Sequence, residues 1–152
     1  MKYIITENQN NSLKSNLTKI KKELGMAQAI KVVGGINNYA NILYGSDIQG
    51  LLDELFDPMF EGLKMKRRYH NWYAFDWIKD GNIVIQRDNN GTLFIFGPEE
   101  YNEMTRIKKL VEPIKSFPTD IKDAMGMYLN KRYEEEFEGH PIIINHIWPF
   151  QI

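Results

Sequence analysis

The chain has 152 residues, of which 43% are hydrophobic, 26% charged and 12% aromatic. That is the size and make-up of one globular domain with enough bulk for its own core. The formal net charge of −1 lacks the basic excess of a general nucleic-acid binder, and the absence of cysteine excludes disulfides, thiolate zinc sites and cysteine nucleophiles.

The first element is a short strand at Lys2 to Ile5. Thr6 followed by Gln9 has the spacing of a capping box. Leu13, Leu17, Ile20 and Leu24 then recur at helical intervals up to Gly25. Ala27, Ile30 and Val33 predict a short helix closed by Gly34-Gly35. Ile36, Tyr39, Ala40 and Leu43 predict another, closed by Gly45. Ser46-Asp47 caps a third, whose apolar positions are Ile48, Leu51, Leu52, Leu55 and Phe56 and which stops at Pro58.

The periodicity then changes from helical to alternating. Strands are expected at 72–78, 82–87 and 92–96, with a further one at 63–69. Asp88-Asn89-Asn90-Gly91 reads as a tight turn, because Asn-Gly suits positive φ. Tyr73, Phe75, Trp77, Ile83, Ile85, Phe94 and Phe96 are expected on the core side of this antiparallel meander. Gly97-Pro98-Glu99-Glu100 opens a helix that runs to about Glu112. Ser116 to Asp120 starts another, with Ile121, Ala124, Met125, Tyr128 and Leu129 as its stripe and Glu134 to Glu136 as its solvated end. The apolar tail reads as a strand from Ile142 to Ile147.

The expected fold class is therefore α+β, as a single domain over 1–152. It has a helical part at 1–57, a three- to four-stranded antiparallel sheet at 63–97, helices at 98–137 and an extended tail at 138–152. The N-terminus turns polar after five residues, unlike a signal peptide. No window has the roughly 18 apolar residues of a membrane span, so a cytoplasm, or a virion packaged from one, is the expected location.

Chemical motifs are sparse. His140 and His146 lie six residues apart, roughly 20 Å of strand, too far to share a metal, and His70 stands alone. Asp53 and Asp57 share a helical face, the pattern of a solvated surface more often than of a magnesium site. Neither phosphate-loop nor dinucleotide glycine patterns occur, and no nucleophile elbow does. No catalytic residue, cofactor or metal ligand is assigned. The run from Lys64 to Tyr73 sets basic groups beside aromatics, which suits a nucleic-acid strand. Its candidate contacts are Lys64, Lys66, Arg67, Arg68, Tyr69 and Trp72. In the tail, Ile142, Ile144, Trp148 and Phe150 are candidates for docking on this domain or on a partner's sheet edge. Docking on the chain's own domain is the favoured version.

The opening MKYIITENQ, the segment IKVVGGINNYANIL, the meander and the closing helix resemble a group of small bacteriophage and viral-metagenome proteins. No activity comes with that resemblance. It implies a phage accessory or virion-associated protein, and the lack of a catalytic motif points to work through protein contacts or self-association. A nucleic-acid binder using residues 64–73 is the alternative, and a divalent-metal enzyme the second alternative.

Overall fold

Among the described residues, helical spacing produces four helices before the first strand: α1 (Glu7–Leu24), α2 (Met26–Val32), α3 (Ile36–Leu43) and α4 (Ile48–Phe60). The computed structural model describes residues 7–114, 120–150 and 152. The strand expected at Lys2 to Ile5 and the capping Thr6 lie outside them. By internal contacts the chain divides into two compact units. One comprises Met1–Leu51 with Pro113–Lys115, and the other Leu52–Glu112 with Ser116–Ile152.

In the first unit Leu17, Ala29, Ile36, Tyr39 and Leu43 form the core, with Ile20, Ile30, Val33 and Ile114 packed against it. Gly34 and Gly35 take φ of 87° and 135°, conformations costly for residues with a Cβ. They reverse the chain between α2 and α3. Leu13 and Leu24 share the expected stripe of α1 but stay exposed. At 1.5 Å rise per residue, α2 and α3 are roughly 10–12 Å long against about 27 Å for α1, so they cover only part of it.

The second unit contains the rest of α4, then β1 (Lys64–Arg67), β2 (Phe75–Lys79), β3 (Asn82–Arg87) and β4 (Thr92–Ile95). After them come α5 (Pro98–Val111), α6 (Ile121–Arg132), α7 (Glu134–Phe137) and β5 (His146–Trp148). Helix α4 runs through Pro58 rather than stopping there. An interior proline costs about 3 kcal/mol, but the extra turn buries Met59 and Phe60, each worth roughly 1.5–3 kcal/mol. Asp120 caps α6 by accepting from the Asp123 N–H. The three glutamates 134–136 form the exposed side of α7 instead of ending α6, because Tyr133 and Phe137, one turn apart, are both buried.

The sheet has five strands in the order β1-β2-β3-β4-β5. The first four are antiparallel, as the meander requires, and the tail adds β5 parallel to β4. The expectation of three or four antiparallel strands plus a separate extended tail is corrected on this point. The inner face carries Phe75, Trp77, Ile85, Leu93, Ile95 and Ile147, all buried. Helical rings meet it: Phe60 lies 5.6 Å from Trp77, Tyr133 5.8 Å from Trp77 and Phe137 4.8 Å from Phe75.

Four residues expected on the core side lie elsewhere. Phe94 is half-buried and Phe96 exposed, on the opposite face. A two-residue Asn90-Gly91 turn would pair Ile85 with Phe96. The loop instead has three residues, closed by Asp88 N–H donating to Thr92 O, with Gly91 at φ 85°. Asp88 Oδ1 fixes it by accepting from the N–H groups of Asn90 and Thr92. Ile85 therefore pairs with Ile95, and a one-residue shift exchanges the two faces of a strand. Ile83 is turned out by a bulge that sets it opposite Ile78 rather than beside Trp77. Tyr73 precedes β2, in the turn leading into it, and is exposed.

Candidate functional site: the outer face of the sheet

The pairing registers put five side chains in one row across the outer face: Lys66, Asp76, Gln86, Phe94 and Trp148. With strands about 4.8 Å apart, four spacings give the row a length of roughly 19 Å. Lys64 and Arg68 flank Lys66 at two-residue spacing along β1, and so belong to the same face. Phe96 flanks Phe94 in the same way.

The aromatic end of the row is a cluster of its own. Phe94 and Phe96 lie 5.8 Å apart with planes 7° from parallel, and Trp148 is 6.0 Å from the first and 6.3 Å from the second. Phe96 is 50% and Trp148 46% exposed, so apolar ring surface is left in water. Tyr101 of α5 stacks on Phe150 at 4.8 Å just past β5.

The basic end has two free cations. Lys64 and Lys66 are exposed and make no ion pair among the described residues. Arg68 is engaged: its Nε donates to Asp76 at 3.3 Å, and Gln86 Nε2 donates to the other carboxylate oxygen at 2.8 Å. Asp76 is only 9% exposed. Its charge is thus matched by one guanidinium and one amide, as a buried carboxylate requires.

The residues singled out by the basic-aromatic run therefore separate. Lys64, Lys66 and Arg68 face outward. Arg67 points to the other side, where its guanidinium sits 4.0 Å from the centre of the Trp72 ring. Trp72 also stacks on His140 at 4.4 Å. Tyr69 stands in the turn after β1 with φ 51° and is 93% exposed. Of the tail residues, Ile142 and Ile144 are buried in the chain's own second unit, while Trp148 and Phe150 join the two aromatic contacts above. The aromatic cluster of the outer face was missed in sequence. Thr92 to Phe96 has large apolar groups at both parities, so alternation alone does not say which set faces in.

The other polar clusters are structural. Asp57 accepts from Tyr128 Oη at 2.7 Å and from Arg132 at 2.9 Å. Burial, reinforced by the bond to Asp57 and opposed by Arg132, pushes the Tyr128 phenol well above its ordinary value of 10.0. Lys79 pairs with Glu99, which with the bond's help holds its ammonium above the usual lysine value. His146 lies beside Thr92 in the β4-β5 ladder, and His70 is exposed. Among the described residues no group of three His, Cys, Asp or Glu side chains could hold a metal ion, and no helix is long and apolar enough to cross a membrane.

No known family model, curated protein or solved structure matches this chain.

Proposed function

We propose that this is a non-enzymatic accessory protein that holds a single strand of nucleic acid across the outer face of its sheet. The observation that carries the reading is the row from Lys66 to Trp148, which joins two free lysines to three half-exposed rings on one open surface. Aromatic side chains on an open sheet stack two or three bases of a single strand, each worth about 1–3 kcal/mol. Lys64 and Lys66 supply the phosphate contacts at the far side. The sheet itself, held by a core on its other face, preorganises both ends. The net charge of −1 does not oppose this, because Lys64 and Lys66 concentrate positive charge at one end of the row, opposite the rings. The resemblance of MKYIITENQ and IKVVGGINNYANIL to phage proteins supports an accessory role, in the host cytoplasm or in the virion.

A second reading, a protein partner or second copy docked on this face, is favoured by the exposed Ile83 of β3, which the bulge turns outward. Fluorescence anisotropy with a labelled oligo-dT of about fifteen nucleotides separates them. Binding should weaken with salt at a log-log slope near −1.4, about 0.7 for each of two phosphates. It should disappear in a Phe94→Ala, Phe96→Ala, Trp148→Ala triple variant that keeps its circular dichroism. Absence of binding at low salt would sink the nucleic-acid reading and leave the protein partner.

A further inference from the structure

Resting on that reading, we infer that Gln86 is a specificity-determining residue and that the bound strand carries a guanine on Phe94. An ionised carboxylate only accepts hydrogen bonds. Asp76 therefore dictates which end of the Gln86 amide turns toward it: Nε2 donates to Asp76 Oδ1 at 2.8 Å. Arg68 Nε donates to the other carboxylate oxygen and holds Asp76 in place. The amide cannot flip without setting its carbonyl against that carboxylate.

Gln86 Oε1 is thus directed away from Asp76. Among the described residues it has no hydrogen-bond partner, and it is not one of the fully buried polar atoms. Gln86 sits opposite Phe94 in the β3-β4 ladder, so a base lying on the Phe94 ring brings its edge over this oxygen. The surface there is rich in acceptors, the Gln86 carbonyl with the Asp76 carboxylate behind it. Such a floor selects the base edge with the most adjacent donors. Guanine presents N1–H and N2–H₂ side by side. Thymine and uracil offer one N–H flanked by two carbonyls, which would face the same acceptors. Adenine and cytosine offer an amino group beside an acceptor nitrogen and rank between.

The test uses the full chain and labelled oligo-dT probes that carry one central dG, dA, dC or dT. The dG probe should bind about three- to tenfold tighter than the all-dT probe. Gln86→Met keeps the length of the side chain and removes the carbonyl. It should abolish the dG preference, read as the ratio of dG-probe to all-dT affinity within the variant itself. Asp76→Asn supplies a second readout, because an asparagine can donate as well as accept and frees the Gln86 amide to turn; the preference should shrink there too. If wild-type protein binds none of the probes, the nucleic-acid reading fails and this inference with it. Equal binding of all four probes, or a dG preference that survives Gln86→Met, overturns the inference alone and leaves strand binding standing.

Discussion

Arg87 shows how one charged side chain can fasten three segments. It is buried on the inner face, where its guanidinium donates to the carbonyls of Tyr73, Asp88 and Ile143. Burial pulls its pKa below the ordinary arginine value, with Asp88 opposing. The acceptors are main-chain oxygens, so the residue ties the entry to β2 and the tail together through the carbonyls of Tyr73 and Ile143. Replacing it with Met strands the Tyr73 and Ile143 carbonyls, each costing about 1–3 kcal/mol. The expected result is a loss of about 2–6 kcal/mol in urea unfolding.

Tyr128 makes a second prediction, on pH. Its folded pKa is raised above the unfolded 10.0, so the folded state keeps a proton that the unfolded chain releases. The associated stability is whole below about pH 10 and drains away as pH climbs from there toward the folded value. Tyr133, also raised by burial, acts in the same direction. Urea midpoints measured through the alkaline range should therefore fall, and Tyr128→Phe should make that fall shallower without abolishing it.

Among the elements, β4 is the one whose two faces divide the core from the candidate site. Leu93 and Ile95 are buried and Phe94 and Phe96 are not. Leu93→Ala should cost about 2–5 kcal/mol, as a large-to-small core change does. Phe94→Ala should cost far less stability and register in binding instead. A reversed order would mean that the three-residue loop at Asn89 to Gly91 does not set the register. The tail is a structural element in the same sense. Ile142, Ile144 and Ile147 are buried, Asn145 N–H donates to Gly91 O and its side chain to Asn90 O. Asn130 bonds both the N–H and the carbonyl of Ile142. Deleting residues 141–152 should lower the melting temperature sharply. A truncated chain as stable as the parent would contradict this docking.

At the scale of the molecule, the surplus of apolar strand residues has a physical outlet. The helices of the second unit meet the inner face of its sheet, and the apolar side chains left over gather at one end of the outer face. Lysines at the other edge, on β1, also discourage strand addition there. On the proposed reading, binding across that face should be limited to flexible single strands, because stacking needs bases that can splay away from partners. Duplex of the same length should bind more weakly than oligo-dT at equal salt.

Local chemistry by itself determined much of this protein. Helical spacing marked α2, α3 and the start of α4, alternation marked β2 and β3, Gly-Pro-Glu-Glu opened α5, and the run of isoleucines required the tail to be covered. Each of these follows from interactions within a few residues, which the chain carries wherever it goes. Tertiary structure decided the rest. Core burial carried α4 past Pro58, one residue in a loop chose which face of β4 is inside, and a bulge turned Ile83 outward. The neighbour of β5 was likewise a matter of folding, since a strand's partner is not written in its own sequence. The candidate site depends on all of these, because a row across a sheet exists only when five separate strands are held in register.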